Sequence, residues 1–319
     1  MKRDRAEKIV FMGTPLFAVP SLTALIEAGY DMAAVVTRPD KPRGRGLATL
    51  PCAVKEIALK RGIRVLEPRN IRDEGFISEL RGMAPDFIVV VAYGRILPEP
   101  ILEIPPRGCI NLHASILPRY RGAAPVNWAI VNGEKETGVS TMLMDAGMDT
   151  GPVLRTERVA IGDDDTAEDL AERLSTTGAH LLTETLALIA EGRIHAVAQD
   201  DKAATYAPML KKKDGRIDWA KSASEVKNLM RGLSPWPGAY TAWKGMILKI
   251  HSGGLSTISS SDNKAMPGTV VDITGDSIIV KCGDSAFEIT GLQPENRRKM
   301  SAGDFIKGYR ITKGEVFDR

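Results

Sequence analysis

With 319 residues, 43% of them apolar and 26% charged, the chain is too long for one typical compact domain and too ordinary in composition for a disordered or fibrous protein. Its formal charge of +3 does not mark the whole chain as a nucleic-acid binder, so any RNA contact must rest on local basic clusters. Three scattered cysteines, Cys52, Cys109 and Cys282, form no metal-ligand spacing and fit a reducing cytoplasm, and the apolar run after Lys8 is too short for a leader or a membrane span.

Residues 9–12 read as a buried strand, which Gly13-Thr14-Pro15 turns into a helix over 16–28 that Gly29 ends. Residues 32–37 form the next predicted strand. Arg38-Pro39-Asp40-Lys41-Pro42-Arg43-Gly44-Arg45-Gly46 follows and is too rich in Gly and Pro for a regular element. A short helix over 53–60, a short strand over 63–66 and a helical stretch over 76–81 lead to residues 87–92, apolar enough for a strand buried on both faces. Further strands over 110–113 and 139–144 flank a helix over 125–132. Strands alternating with helices imply a parallel, three-layer α/β sheet of the Rossmann-like type. Thr166-x-x-Asp169 opens an amphipathic helix in which Leu170, Leu174, Leu181, Leu182, Leu186 and Ile189 keep helical spacing and Gly192 marks the end.

Residues 1–192 are therefore the expected first domain, 193–213 a linker ending in Lys211-Lys212-Lys213, and 214–319 the second domain. There a helix over 222–231 with a Ser-x-x-Glu start precedes β-like runs over 239–243, 247–251, 268–273, 277–282 and 286–290, with a polar loop over 256–264. Short strands separated by turn residues predict a small β-barrel. Trp236 and Trp243 fit the core of such a barrel, with base stacking as the alternative.

The chemistry concentrates in Gly108 to Gly122. Asn111 and His113 are two apart on a strand, so they share a face, and the carboxyl ends of strands are where open α/β sheets bind ligands. Hydrogen bonding to nearby loops is the structural alternative for the pair. Asp145-Ala146-Gly147-Met148-Asp149-Thr150-Gly151 follows the strand over 139–144; if that strand neighbours the Asn111–His113 strand, Asp149 comes within reach of His113. A carboxylate beside an imidazole supports its cationic form, and Asn, His and Asp together suit stabilising an oxyanion while a carbonyl carbon passes to an amine. No activated nucleophile accompanies them: Ser115 lies in no nucleophile elbow, and Cys109 reads as a small buried residue. There is no GxGxxG and no Walker A loop, which argues against a dinucleotide or ATP.

Five stretches of the first domain carry a resemblance: Phe11-Met12-Gly13-Thr14-Pro15, Thr37-Arg38-Pro39-Asp40-Lys41-Pro42 with Gly44-Arg45-Gly46, Val91 to Pro98, Asn111-Leu112-His113-Ala114-Ser115 through Arg121-Gly122-Ala123-Ala124-Pro125, and Met144 to Gly151. Arg216-Ile217-Asp218-Trp219 and Pro235-Trp236-Pro237-Gly238-Ala239 continue it in the second domain. Over nearly its whole length the chain resembles the methionyl-tRNA formyltransferases of the folate-dependent formyltransferase superfamily. The resemblance implies a formyltransferase domain followed by an OB-like barrel that holds tRNA. It implies 10-formyltetrahydrofolate as formyl donor, no metal, initiator methionyl-tRNA as acceptor, a cytoplasmic location, no membrane, and a monomer. By position it makes Asn111, His113 and Asp149 catalytic. It gives the folate site Val91, Ala92, Tyr93 and Gly94 around the pterin, with Ser115, Ile116, Leu117 and Pro118 lining it. It gives tRNA contacts to Arg38, Lys41, Arg43 and above all Arg45. Leu47-Ala48-Thr49-Leu50 stands where family members carry lysines, which lowers the expected number of phosphate contacts. A sugar-nucleotide or glycinamide-ribonucleotide formyltransferase would keep the same chemistry, but the second domain and the Arg-Gly-Arg-Gly loop argue against it. A non-catalytic RNA-binding module has no damaged catalytic motif to support it.

Overall fold

In the first unit the strand β1 (Lys8–Gly13), KIVFMG, is buried from its second residue on, because apolar side chains alternate to both faces of a covered sheet. The structure is a computed structural model and describes residues 6–40, 42–43, 48–257 and 265–318. Lys41, Arg45 and the 258–264 part of the expected polar loop lie outside the described residues, and of Arg43 the backbone alone is described.

β1 leads through α1 (Val19–Glu27) to β2 (Asp31–Val36). The stretch that read as irregular carries a two-residue antiparallel pairing of β3 (Pro42–Arg43) with β4 (Ala48–Thr49). Next come α2 (Ala53–Lys60), β5 (Val65–Leu66), α3 (Glu74–Gly82), β6 (Phe87–Val91), α4 (Glu99–Leu102), β7 (Cys109–His113), β8 (Arg121–Gly122) and α5 (Pro125–Val131). Then follow β9 (Glu136–Leu143), β10 (Val153–Ala160), α6 (Ala167–Ala190) and β11 (Tyr206–Ala207).

Among the described residues the main sheet has seven strands in the order β10-β9-β7-β6-β1-β2-β5. Five of them, from β5 to β7, pair in parallel, as expected. β9 runs antiparallel to β7, and β10 antiparallel to β9, which corrects the all-parallel expectation. For β10 the reason is length: residues 144–152 are too few for a parallel crossover, which needs about a dozen or more. One face of the sheet packs Val10, Met12, Ile88 and Val90 against Phe76, Ile77 and Leu80 of α3. α6 reaches the sheet with a buried Thr185, whose Oγ1 lies 2.9 Å from that of Thr141.

The chain divides into two compact units. One is Met1–Pro125, Glu136–Ala160 and Ala171–Pro208; the other is Val126–Lys135, Ile161–Leu170 and Met209–Arg319. The second contains α7 (Ala223–Gly232), β12 (Ala239–Trp243), β13 (Met246–Leu255), β14 (Val270–Ile273), β15 (Ile278–Lys281), β16 (Ala286–Pro294), β17 (Met300–Ser301) and α8 (Ala302–Tyr309). Its sheet runs β12-β13-β16-β15-β14, with β17 on β16 and antiparallel pairing throughout. Single bridges join Ala242 to Asp318 and Thr269 to Val316. Trp219, Trp243, Phe287, Phe305 and Phe317 fill its core, so Trp243 is core, whereas Trp236 is exposed.

Candidate active site

β1 and β6 form the switch point of the main sheet: β2 and β5 are added on one side of β1, and β6 and β7 on the other. Ligands of open α/β sheets bind outside the carboxyl ends of strands at such a point. Gly13 and Val91, the last residues of β1 and β6, are paired there. Next to β6, β7 places Asn111 and His113 on one face by strand alternation, and Leu112, in register with Thr141, on the other. Both polar side chains are buried, at 8% and 6% exposure, so both need partners.

Asp149 is that partner. Because β9 is antiparallel, its carboxyl end lies beside Ile110, and residues 144–149 must double back to reach His113. They do so through tight contacts. Asp145 Oδ1 accepts from the Gly147 amide (3.0 Å) and the Thr150 hydroxyl (2.7 Å), and Asp149 itself has φ +56°. Asp149 Oδ2 accepts from the Gly122 amide at 2.8 Å. Its Oδ1 faces Asn111 Nδ2 at 3.4 Å and His113 Nδ1 at 3.6 Å. His113 Nε2 lies 2.9 Å from the Tyr120 carbonyl, which can only accept, so Nε2 carries a proton and Nδ1 is the ring nitrogen turned to Asp149.

Three residues that sequence reasoning missed hold this arrangement. Gln199 Nε2 donates to the carbonyls of Asp149 (2.9 Å) and Gly151 (2.6 Å). Arg121, only 2% exposed, donates through Nε and Nη2 to Gln199 Oε1 at 3.1 and 2.9 Å and through Nη2 to Asp201 Oδ1 at 2.8 Å. Thr205 accepts from the Tyr120 amide through Oγ1 and from the Arg121 amide through its carbonyl, both at 2.8 Å. That fixes Tyr120 at φ +58°, aiming its carbonyl at His113. Gln199, Asp201 and Thr205 all lie in the stretch expected to be linker. Gly122 is needed where β8 meets β11: its φ is +121°, and a Cβ would lie 2.7 Å from the Ala207 carbonyl oxygen.

Of the residues expected around the folate, Ala92 and Gly94 are exposed and Ile116 and Pro118 half-buried, whereas Val91, Tyr93, Ser115 and Leu117 are buried. The Ser115 hydroxyl donates to the Arg119 carbonyl at 2.5 Å, and the Ser140 hydroxyl donates to the Ser115 carbonyl at 2.8 Å. Ser115 thus shapes the loop from within. Burial pushes the Cys109 thiol up to about 12. Arg38, expected on tRNA, donates to the carbonyls of Tyr93 and Gly94.

An amide, an imidazole and a carboxylate thus converge beside the switch point, with the neighbouring serine tied to backbone and the neighbouring thiol held protonated by burial. Such a set of groups suits a transferase that passes a carbonyl group directly to its acceptor. The Formyl transferase family model matches residues 7–186, and the Formyl transferase, C-terminal domain model matches 209–310. A methionyl-tRNA formyltransferase from Caldanaerobacter subterraneus subsp. tengcongensis is 50% identical over 97% of this chain and 99% of its own. One from Geobacter metallireducens is 50% identical over 96% and 97%. The chain belongs to the methionyl-tRNA formyltransferase family. Solved structures share the fold at lower identity. The N-formyltransferase from Helicobacter canadensis in complex with folinic acid and dTDP-3-aminofucose has a TM-score of 0.65 at 18% identity, covering 93% of this chain and all (100%) of that one. HypX from Aquifex aeolicus in complex with tetrahydrofolic acid has a TM-score of 0.65 at 16% identity over 99% of this chain, which spans 51% of HypX. Among the described residues no helix is long and apolar enough to cross a membrane.

Proposed function

We infer that the chain transfers the formyl group of 10-formyltetrahydrofolate to the α-amino group of initiator methionyl-tRNA. The observation that carries this reading is the convergence of Asn111 and His113 on one carboxylate oxygen of Asp149, within 3.6 Å, in a chain of this family. The folate supplies an activated formyl group on nitrogen. Exposed Ala92 and Gly94, both at positive φ, offer backbone rather than bulk at the switch point, which fits a flat heterocycle.

The acceptor amine attacks the formyl carbon, forming one C–N bond, and the carbonyl oxygen gains charge that the Asn111 amide stabilises by donating to it. The amine must lose a proton and the departing folate nitrogen must gain one. His113 Nδ1 and Asp149 Oδ1 stand close enough to handle that proton between them, while the Tyr120 carbonyl keeps the other ring nitrogen out of the reaction. The bond from carbon to folate nitrogen then breaks, leaving formylated amine and tetrahydrofolate.

We assign chemistry to residues 1–192 and tRNA binding to residues 214–319, with Lys41, Arg43 and Arg45 adding phosphate contacts from the basic loop. The second domain is read as an OB-like barrel. Supporting that reading, residues 316–318 bridge to Ala242 in β12 and to Thr269, just before β14, the two ends of the strand order.

The test is formyl transfer from 10-formyltetrahydrofolate with initiator methionyl-tRNA, elongator methionyl-tRNA and glycinamide ribonucleotide offered in parallel. Formylation of the initiator species alone is expected. Turnover with glycinamide ribonucleotide alone would keep the chemistry and remove the tRNA assignment.

A further inference from the structure

Arg38 stands just past the end of β2 yet is bound to the ends of the two strands at the switch point. Its amide donates to Thr14 Oγ1, beyond β1, at 3.2 Å. Its guanidinium crosses to the end of β6, where Nε donates to the Tyr93 carbonyl at 3.0 Å and Nη2 to the Gly94 carbonyl. A planar guanidinium meets two successive carbonyls with two nitrogens held in a fixed fork; an ammonium offers a single nitrogen on a flexible stem and cannot keep that geometry.

The clasped segment needs such support. Ala92 has φ +49° and Gly94 φ +71°, on either side of a Tyr93 that is 1% exposed. Non-glycine residues at positive φ persist only where their surroundings hold them. A Cβ on Gly94 would meet the end of the Arg38 side chain, so the two residues are neighbours there. The chain beyond Arg38 is fixed as well, since Lys55 Nζ lies 2.5 Å from Asp40 Oδ2 and 2.7 Å from Glu67 Oε2. The root of the basic loop is thereby anchored to the first unit's sheet, and the Arg38 head group faces backbone carbonyls.

We propose that Arg38 is a positioning residue for the formyl donor: its guanidinium sets the conformation of Ala92-Tyr93-Gly94 and makes no phosphate contact with RNA. The proposal rests on the assignment of that segment to the pterin. Its charge does not act at a distance; its geometry acts through two carbonyls.

The test uses full-length Arg38→Gln, Arg38→Lys and Gly94→Ala proteins. Affinity for 5-formyltetrahydrofolate is measured by calorimetry, and KM for methionyl-tRNA at saturating formyl donor. Arg38→Gln is expected to weaken folate binding about tenfold, equivalent to about 1.4 kcal/mol. Arg38→Lys keeps the charge but loses the rigid two-nitrogen fork, so it is expected to weaken folate binding too, with KM for tRNA unchanged in both. A raised KM for tRNA in Arg38→Gln, restored in Arg38→Lys, with folate affinity unchanged in both, would mean a phosphate contact and overturn the proposal. Gly94→Ala separates the two layers of the argument. If it weakens folate binding and neither Arg38 variant does, the pterin assignment stands and Arg38 has no positioning role. If none of the three variants alters folate binding, the pterin assignment itself fails, and the proposal with it.

Discussion

Asp149 is held from three sides: the Gly122 amide on one carboxylate oxygen, Asn111 and His113 about the other, and Gln199 on its backbone carbonyl. The hold explains what single substitutions should do. Loss of one oxyanion donor typically lowers turnover about a hundredfold to a thousandfold, so Asn111→Ala is expected to fall in that range; loss of the proton-handling His113 in His113→Ala is expected to cost about a hundredfold to ten-thousandfold, with both proteins folded. Near-wild-type kcat in either purified variant removes that residue from the mechanism. Gln199 has a double role, as donor to two carbonyls and acceptor for a buried guanidinium. Gln199→Leu removes both and, among the described residues, leaves the Arg121 guanidinium the exposed carboxylate of Asp201, so kcat and thermal stability are both expected to drop. Gln199→Glu keeps the acceptor and loses the donor. It sets a carboxylate oxygen against the Asp149 and Gly151 carbonyls, so kcat should fall and Tm with it; a normal kcat would show that Asp149 needs no help from this side chain. Cys109, by contrast, should be silent. With its thiol pushed up to about 12 by burial, it is expected to resist alkylation in the native protein at neutral pH, and Cys109→Ala to retain kcat.

The helix α7 shows how a sequence signal becomes a measurable stability. Ser222-x-x-Glu225 closes a capping box: Ser222 Oγ accepts from the Glu225 amide at 3.1 Å, and Glu225 Oε2 accepts from the Ser222 amide at 2.9 Å. The Ser222 amide first, then its hydroxyl, holds the Glu225 carboxyl below the ordinary glutamate range. A lowered pKa contributes stability that is complete above the unfolded-state value and lost as pH falls through the folded one. Ser222→Ala should therefore cost about 1 kcal/mol in urea unfolding at neutral pH. The gap should narrow as pH falls through the lowered pKa of Glu225; an unchanged gap in acid would mean that the box contributes through the serine alone. Local signals also made β1, β6, β7 and α6 legible beforehand: β1 and β6 are short continuous apolar runs, β7 alternates Ile110 and Leu112 with polar residues, and α6 keeps helical spacing. β10 was not legible because VLRTERVA is largely solvent-facing and shows no clean alternation. α8 starts with Ser301 capping the Asp304 amide without the reciprocal bond, and it spans eight residues with two glycines, a weak helical pattern. Strand direction escaped as well: an apolar run fixes a strand but not which way it runs. In the site, Asn111 and His113 were readable from two-residue spacing. Gln199 and Thr205 were not, because their contacts close over 78 and 85 residues of chain and leave no periodic trace.

Two compact units and a net charge of only +3 set a limit on how the chain can hold RNA. A weakly basic protein cannot rely on its overall field, so affinity for a tRNA must come from a few placed cations, and the salt dependence should count them. Residues 38–46 carry Arg38, Lys41, Arg43 and Arg45. With Arg38 turned to the Tyr93 and Gly94 carbonyls, three remain for phosphate. At a slope of about −0.9 per released counterion, three contacts predict that tRNA affinity falls about fortyfold between 50 and 200 mM salt. Folate binding, with few such contacts, should hardly change over the same range. Arg45→Ala should reduce the magnitude of the tRNA slope by about one, and Arg38→Gln should leave it unaltered. A much steeper wild-type slope would place further phosphate contacts elsewhere, with the exposed Lys211, Lys212 and Lys213 the next to test. A slope that Arg45→Ala leaves unmoved would instead make the basic loop a solvated surface, and initiator tRNA would then be held by the second domain.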